Sequence, residues 1–333
     1  MDSMQNNTDT FHPEIYVVAV CRNEERYIEN FILSLIRSTY PVHIVIVDNA
    51  SSDNTAAITE KYLTDIVLLR QNENTGFGVA NNIGIQYALN HGADYLFLLN
   101  VDMTIAPDTV FKLMNTAGAH PEYGIISPVC LNFSKDRLES MFYESLTVKD
   151  ALKKDVRLYI SELYMKKTHT QDIYDISFIN AAHWFMSAAV LKQTGGFDPV
   201  FFPIYNEDDE LCVRVLKHGF RIGFIPDAVV YHDTEDRGSS KLPPVHPILI
   251  RDYAKILHHS SFLIYYRFMI LSVLRLIKNI LLFRRENFQF NMHYFRELLR
   301  RRAYLKNGWL RNQRNESIGF CISVPDVCKP DYL

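Results

Sequence analysis

The chain has 333 residues, 48% of them hydrophobic and 22% charged, with a formal net charge of −3. That length is ample for one large core, or for one core with an appendage, and no low-complexity segment or fixed-period repeat interrupts it. Five scattered cysteines (Cys21, Cys130, Cys212, Cys321 and Cys328) form no CxxC pair, which argues against a disulfide framework or structural zinc and for reduced thiols in a cytosolic protein.

Residues 1–13 are polar and acidic and contain no apolar run of the kind a secretory signal needs. They are read as a flexible N-terminus. "EIYVVAV" is then a short apolar, Val-rich strand. "NEERYIENFILSLIRSTYP" has helical apolar spacing and stops before Pro41. "VHIVIVDN" is a second buried strand ending at Asp48, and "SSDNTAAITEKYL" opens a helix on N-cap residues. "DIVLLRQ" is a third strand. "NTGFGVANNIGIQYALNHG" is a glycine-containing loop followed by a helix that stops at Gly92. "DYLFLLNVD" is a fourth strand, and "PDTVFKLMNTAGAHP" is the helix after it.

Apolar strands alternating with helices through short connections predict a mostly parallel sheet covered on both faces. In such sheets ligands bind outside the C-terminal strand ends. Cys21-Arg22-Asn23, Asp48-Asn49, Asn74-Thr75-Gly76 and Asn100-Val101-Asp102 all fall there, so four polar clusters are expected on one rim. Residues 131–175 are irregular and read as an acceptor-side segment. "ISFINAAHWFMSAAVLKQTGGFD" reads as a strand and a helix, "YNEDDELCVRVLKHGF" as an acid-capped helix, and "RIGFIPDAVVYH" as a final strand pair ending at His232.

From about residue 243 the character changes. Residues 251–314 hold fourteen Lys and Arg against three Asp and Glu. The most apolar stretch, 261–283, is interrupted by Arg267, Arg275 and Lys278, so it fails as a spanning helix. It reads as an amphipathic helix that lies in a membrane interface or packs on the body. The domain reading is therefore a flexible 1–13, a catalytic domain over 14–242 (halves 14–105 and 106–242), and a basic, aromatic helical region over 243–333.

Taken in order, "VDNASSDNT", "NTGFGVANNIG", "LLNVD", "TGGFDPVFFPIYNEDDELCVRVLKHGF" and "VVYH" resemble the family 2 glycosyltransferases with the GT-A fold. The "N-x-GF-x-x-x-N" loop and the "GGFD…ED" pattern look closest to bacterial rhamnosyltransferases and related polysaccharide-building enzymes. The resemblance covers about residues 14–235. It implies an inverting, metal-dependent transfer of a sugar from a nucleotide diphosphate donor, in cell-surface polysaccharide synthesis, to a glycan or lipid-linked acceptor. Rhamnose on thymidine diphosphate is one donor, with galactofuranose, glucose and N-acetylglucosamine open.

The resemblance makes Asp102 the second acid of a metal-binding D-x-D, with Asn100 in the place of the first. It makes His232 the residue completing the metal site, and imidazole tilts the ion toward Mn2+ over Mg2+. A turn role for Asp102 and an ordinary strand-end role for His232 are the alternatives. Glu207 and Asp208 form the catalytic pair, with Asp208 as the base that takes the acceptor proton. Acids there also complement a helix dipole, and "EDDEL" departs from the family's "EDVDL" by adding charge at Asp209 and Glu210. Asp48 and Asn49 would hold the donor base, or Asp48 would serve only an Asx-turn. Asn74, Gly76, Phe77 and Asn81 would line the donor's sugar and diphosphate, with Asn100 also counted among the donor-binding residues. The G-x-G in that loop is no dinucleotide fingerprint, because that belongs in the first strand–helix turn. Trp184 would line the acceptor or donor pocket, or sit in the core.

The expected location is cytoplasmic, at the inner face of the membrane. The C-terminal helices would bind anionic lipid or join two copies of the chain. No helix-turn-helix, RRM or zinc-finger pattern supports nucleic acid. The competing reading is an inactive GT-A-like binding protein held to anionic membrane or a partner by its basic region.

Overall fold

A computed structural model describes residues 12–139, 171–202, 206–233 and 247–323. Most of the expected flexible N-terminus and residues 140–170 of the irregular segment lie outside the described residues.

The first half of the body follows the predicted alternation. Strands β1 (Ile15–Cys21), β2 (His43–Asp48), β3 (Ile66–Arg70) and β4 (Tyr95–Leu99) are joined by helices α1 (Ile28–Ile36), α2 (Thr55–Thr59) and α3 (Phe77–Asn90). All four strands pair in parallel, with Cys21 opposite Asp48 and Asp48 opposite Arg70. Their ends therefore line up on one rim. Helix α1 begins five residues later than Asn23, because Asn23 and Glu24 bond elsewhere. Asn23 adopts a left-handed φ of 59°, and its amide donates to Ser51 Oγ at 3.0 Å. The Glu24 amide donates to Thr55 Oγ1 at 2.7 Å.

The second half departs from the parallel expectation. The remaining strands are β5 (Met103–Ile105), β6 (Tyr123–Asn132), β7 (Tyr174–Ile176), β8 (His183–Ser187) and β9 (Arg221–His232). Helix α4 (Thr109–Ala119) leads into β6. The order across the sheet is β3-β2-β1-β4-β8-β6-β9-β5, with β7 also on β9. Strand β8 runs antiparallel to β4 and β6, and β5 and β7 run antiparallel to β9; only β6 and β9 are parallel here. The sheet is thus mixed, not mostly parallel. β5 follows β4 after three residues, too few for the crossover that a parallel neighbour of β4 requires; it pairs with β9 instead, and the free edge of β4 is taken by antiparallel β8. The expected final strand pair is one strand, β9. Its ladder to β6 skips from Ile225 to Val229, across Pro226, which has no N–H to give.

Helices α5 (Ala188–Thr194) and α6 (Glu207–Lys217) cover the second half. One core of buried residues spans the sheet and its helices from Ile15 to Val230. A second, smaller one gathers Ile250, Tyr253, Ile256, Leu257, Tyr265, Tyr294, Leu298 and Leu305 around Phe201 and Phe202. It is built from α7 (Pro247–His258), α8 (Leu263–Leu281), α9 (Arg285–Arg300) and α10 (Arg302–Gln313). Among the described residues no helix is long and apolar enough to cross a membrane. After α10 the chain returns to the body. Gly319 accepts from the Gly196 amide at 3.0 Å, and Cys321 accepts from Asn82 Nδ2 at 2.8 Å. Gly195, at φ 81°, lets this segment close in, since a Cβ there would stand 2.6 Å from the Gly319 carbonyl oxygen.

Candidate active site

The parallel strands deliver Asp48 to the rim, where it is buried. Its Oδ1 accepts from the Ser51 amide at 3.0 Å, the Asx-turn bond, and Arg70 Nε lies 3.9 Å from Oδ2. Asn49 is also buried, and its amide is taken up within the protein. Nδ2 donates to Asn74 Oδ1 at 2.9 Å, and Oδ1 accepts from the Thr75 amide at 2.8 Å. Asn49 therefore ties the β2 turn to the glycine loop. Asn74 accepts a second bond from the Gly76 amide at 3.1 Å. Gly76, at φ 83°, is the N-cap of α3, a conformation that costs other residues dearly. The start of a helix offers backbone N–H groups to an anion. Phe77 sets its ring edge on Phe197, centroids 5.6 Å apart. Asn81 is buried and donates to the Phe77 carbonyl at 3.0 Å.

Beyond β4 the chain turns through Asn100-Val101-Asp102 into β5, which pairs Met103 with His232 of β9. That pairing brings Asp102 and His232 together across 130 residues. Asp102 Oδ2 and His232 Nε2 are 3.0 Å apart, and the residues are only 3% and 4% exposed. Two donors at right angles on a small divalent ion, with bonds of about 2.1 Å, stand about 3.0 Å apart. The pair could therefore hold such an ion between them.

The same rim receives Asp208 through one short loop. The Asn100 amide donates to the Ala182 carbonyl at 2.9 Å, and the neighbouring Ala181 backbone hydrogen-bonds the Asp208 carboxylate. Asp208 starts helix α6 with Glu207. Burial pushes its carboxyl above the ordinary range, against the pull of the amides of Asp209 and Ala181. Glu207 goes further: burial, with the Asp208 charge beside it, pushes it up to about 8. Its Oε2 is buried without a hydrogen-bond partner. At neutral pH Glu207 therefore keeps its proton beside the Asp208 carboxyl.

That state has a measurable consequence. Between about pH 4.5 and pH 8 the folded chain keeps a proton on Glu207 that the unfolded chain has lost, so this residue's contribution to stability falls as pH rises through that window. Glu207→Gln, a neutral mimic, should melt at the wild-type temperature near pH 4.5 and progressively above it toward pH 8, by differential scanning fluorimetry. A melting difference that does not change with pH would show that Glu207 is ionised like any surface acid.

The added acids of "EDDEL" separate in the structure. Asp209 is pushed up to about 6 by burial and by Asp208. Glu210 turns away and pairs with buried Arg214. Trp184 is corrected: it is 0% exposed and stacks on Phe197 at 5.9 Å, so it belongs to the core and presents no face to an acceptor. Sequence reasoning passed over its neighbour. His183 is buried, with Nδ1 2.6 Å from Ser127 Oγ; burial and nearby His232 push it down to about 3, which keeps it neutral. Glu139 was missed as well. It lies buried beside His232, with Oε2 3.8 Å from Nδ1, and nothing in the local sequence marks it. Asn82, also missed, is fully buried and clamps Phe197 by its amide and carbonyl, each at 2.9 Å.

Residues 16–195 match the family model described as glycosyl transferase family 2. The N-acetylglucosaminyl-diphospho-decaprenol L-rhamnosyltransferase of Mycobacterium tuberculosis is 24% identical over 234 residues, 65% of this chain and 75% of that protein. The dTDP-rhamnosyl transferase RfbF of Shigella flexneri is 27% identical over 231 residues, 67% of this chain and 70% of that protein. The crystal structure of GalNAc-T7 with UDP, GalNAc and Mn2+ shares the fold, with a TM-score of 0.58 at 14% identity over 73% of this chain and 48% of that one. The family match spans more than half the chain, and the protein belongs to glycosyl transferase family 2, as a glycosyltransferase with a GT-A-type α/β fold.

Proposed function

We propose that the protein is an inverting, metal-dependent transferase that moves a sugar from a nucleotide diphosphate donor to a glycan or lipid-linked glycan acceptor in cell-surface polysaccharide synthesis. The names of its rhamnosyltransferase relatives make thymidine diphosphate-rhamnose the first donor to test. The observation that carries the reading is the buried Asp102–His232 pair at 3.0 Å, on the same rim as Asp48 and tied by the Ala181–Ala182 loop to Asp208.

In this reading Asp48 meets the donor base, and the turn held by Asn49 and Asn74 presents the N-terminus of α3 to the diphosphate. Gly76, Phe77, Asn81 and Asn100 line the sugar side. Asp102 and His232 would hold a divalent cation, Mn2+ ahead of Mg2+, which neutralises charge on the leaving diphosphate. Asp208 accepts the proton of the acceptor hydroxyl. The hydroxyl oxygen bonds to the anomeric carbon as the bond from that carbon to the diphosphate breaks, and the diphosphate departs with the electron pair. Attack opposite the leaving group inverts the anomeric centre.

The test is binding and slow hydrolysis of a panel of nucleotide sugars with Mn2+, Mg2+ or EDTA. One donor should bind only with metal, and Asp102→Ala should weaken that binding at least tenfold. Binding of every nucleotide sugar without regard to metal, or of none, would overturn the reading.

The C-terminal helices carry the acceptor side of the proposal. On α8, Leu263, Ile270, Leu274, Ile277 and Leu281 are exposed at spacings of seven, four, three and four, so they share one face. Phe283 just beyond is 94% exposed, and Arg267, Arg275, Lys278, Arg284 and Arg285 are exposed around it. An apolar face bordered by cations suits the surface of an anionic membrane, where lipid-linked acceptors reside. Each cation near such a surface is worth about 1 kcal/mol, so Arg267→Ala with Lys278→Ala should weaken binding to phosphatidylglycerol vesicles about 25-fold in a sedimentation assay. Absence of vesicle binding, together with a dimer by light scattering that Leu274→Glu dissociates, would assign the face to a second copy of the chain instead.

A further inference from the structure

We propose that Glu139 is a positioning residue for the metal site: its carboxylate fixes the imidazole of His232 in the form that can ligate a cation. This rests on the proposed metal role of Asp102 and His232.

A backbone hairpin brings Glu139 to the site. At the end of β6 the chain folds back in a hairpin in which Leu131 faces Leu138. Asn132 closes the hairpin: its amide donates to the Arg137 carbonyl at 3.0 Å, and its Nδ2 donates to Asp136 Oδ1 at 2.7 Å. Lys135 supplies the left-handed residue of the turn, at φ 63°. The Glu139 amide then donates to the Cys130 carbonyl at 2.9 Å. The carboxylate is thereby set beside β9, which runs parallel to β6 with His232 opposite Asn132. Cys130 Sγ, a Glu139 carboxylate oxygen and a His232 nitrogen lie within 4.8 Å of one another, and all three residues are buried.

The His232 ring is held between two carboxylates. Asp102 Oδ2 is 3.0 Å from Nε2, and Glu139 Oε2 is 3.8 Å from Nδ1. Nδ1 is buried and makes no hydrogen bond. A neutral imidazole has one N–H and one lone pair, and only the lone pair can bind a cation. Asp102 alone would draw the proton to Nε2 and hide the lone pair that the cation needs. A cation between Asp102 and Nε2 would displace that proton, and Glu139, 3.8 Å from Nδ1, is the carboxylate placed to hold it on the other nitrogen. Metal-bound histidines generally have such a partner on their second nitrogen, and its loss typically weakens metal affinity 10- to 100-fold.

The test is Mn2+ binding to the full chain without donor, read as free Mn2+ by electron paramagnetic resonance. Wild type should bind, Asp102→Ala should not, and Glu139→Gln should bind about 10- to 100-fold more weakly. Cys130→Ser, which alters the same pocket without touching the ring's proton, should stay within about twofold of wild type on this account. Histidine 15N spectra of the Mg2+-loaded chain give a readout that a packing defect would leave alone. Wild type should show His232 protonated at Nδ1 only, and Glu139→Gln should add a population protonated at Nε2. If wild type binds no Mn2+, the metal reading falls and this one with it. If wild type binds, Asp102→Ala does not, and Glu139→Gln matches wild type in affinity and spectrum, the metal reading stands and the role of Glu139 is overturned.

Discussion

Replacing Asp208 with Asn is expected to lower kcat about 10²- to 10⁴-fold, the range that a positioned general base supplies, while donor affinity stays within about twofold. The asymmetry follows from where Asp208 sits. Its carboxylate is held by backbone, through the amides of Asp209 and Ala181, and it makes no bond to Asp48 or Asn49, the residues proposed to meet the donor base. Asn is nearly isosteric and keeps a hydrogen-bond acceptor, so the loop geometry should survive and only the proton acceptor is lost. Glu207→Gln is the informative companion. Because Glu207 is held protonated at neutral pH by burial and by Asp208, an amide there changes little in charge, and kcat should stay within about tenfold of wild type. If Glu207→Gln is the crippling change and Asp208→Asn is mild, the two acids have the opposite roles.

The pH profile gives the same prediction an independent arm. A base must be ionised to accept the acceptor proton. Burial raises the Asp208 carboxyl, so kcat/KM should fall on the acid side at a pH above the usual carboxylate range. Asp208→Asn should flatten that limb. A limb that persists in Asp208→Asn would move it to another group.

These acids also show what the sequence could and could not reveal. Asp48 and Asp102 stood out because each closes an apolar run, and a charge at that place is unusual in a buried sheet; metal roles for Asp102 and His232 came only with the family resemblance. Asp208 was legible only with the family resemblance, since acids at a helix start have an ordinary explanation in the dipole. Parallel pairing of β1–β4 followed from their helical crossovers. The antiparallel placement of β8 did not, because nothing in its five residues marks its direction. Trp184 sat in a plausible place for sugar stacking, but its exposure depends on Phe197, thirteen residues on. Glu139 could not be read at all. Its partner lies 93 positions away, and what unites them is the hairpin at Asn132 and the β6–β9 register, both products of tertiary pairing.

Arg214 is the other residue the sequence disguised, and its removal should give the largest loss of stability. "EDDELCVRVL" looks like an excess of acid. In the structure Arg214 is 1% exposed, Glu210 is 3% exposed, and the two pair one turn apart on α6. Burial alone would raise the Glu210 carboxyl; the Arg214 guanidinium and His258 reverse that and hold it low. Arg214 Nη1 also donates to the carbonyls of Thr194 and Gly196, each at 2.8 Å. The side chain thus fastens the helix bearing Asp208 to the turn carrying Phe197, on which Phe77 at the start of α3 rests. His258, at the end of α7, joins through Nε2 3.4 Å from Glu210 Oε1, which links the C-terminal helices to the same point. Arg214→Met leaves a buried carboxylate and two buried carbonyls without their donor. Breaking a buried pair in this way costs about 3–5 kcal/mol, read as a lower urea midpoint. Adding Glu210→Gln removes the stranded charge, so the double variant should be more stable than Arg214→Met alone, although the two carbonyls remain unmet. A loss below about 1 kcal/mol for Arg214→Met would mean that the pair gains little over its desolvation. The helix that carries Asp208, the proposed base, would then owe its position to the apolar packing of Leu211 and Val215.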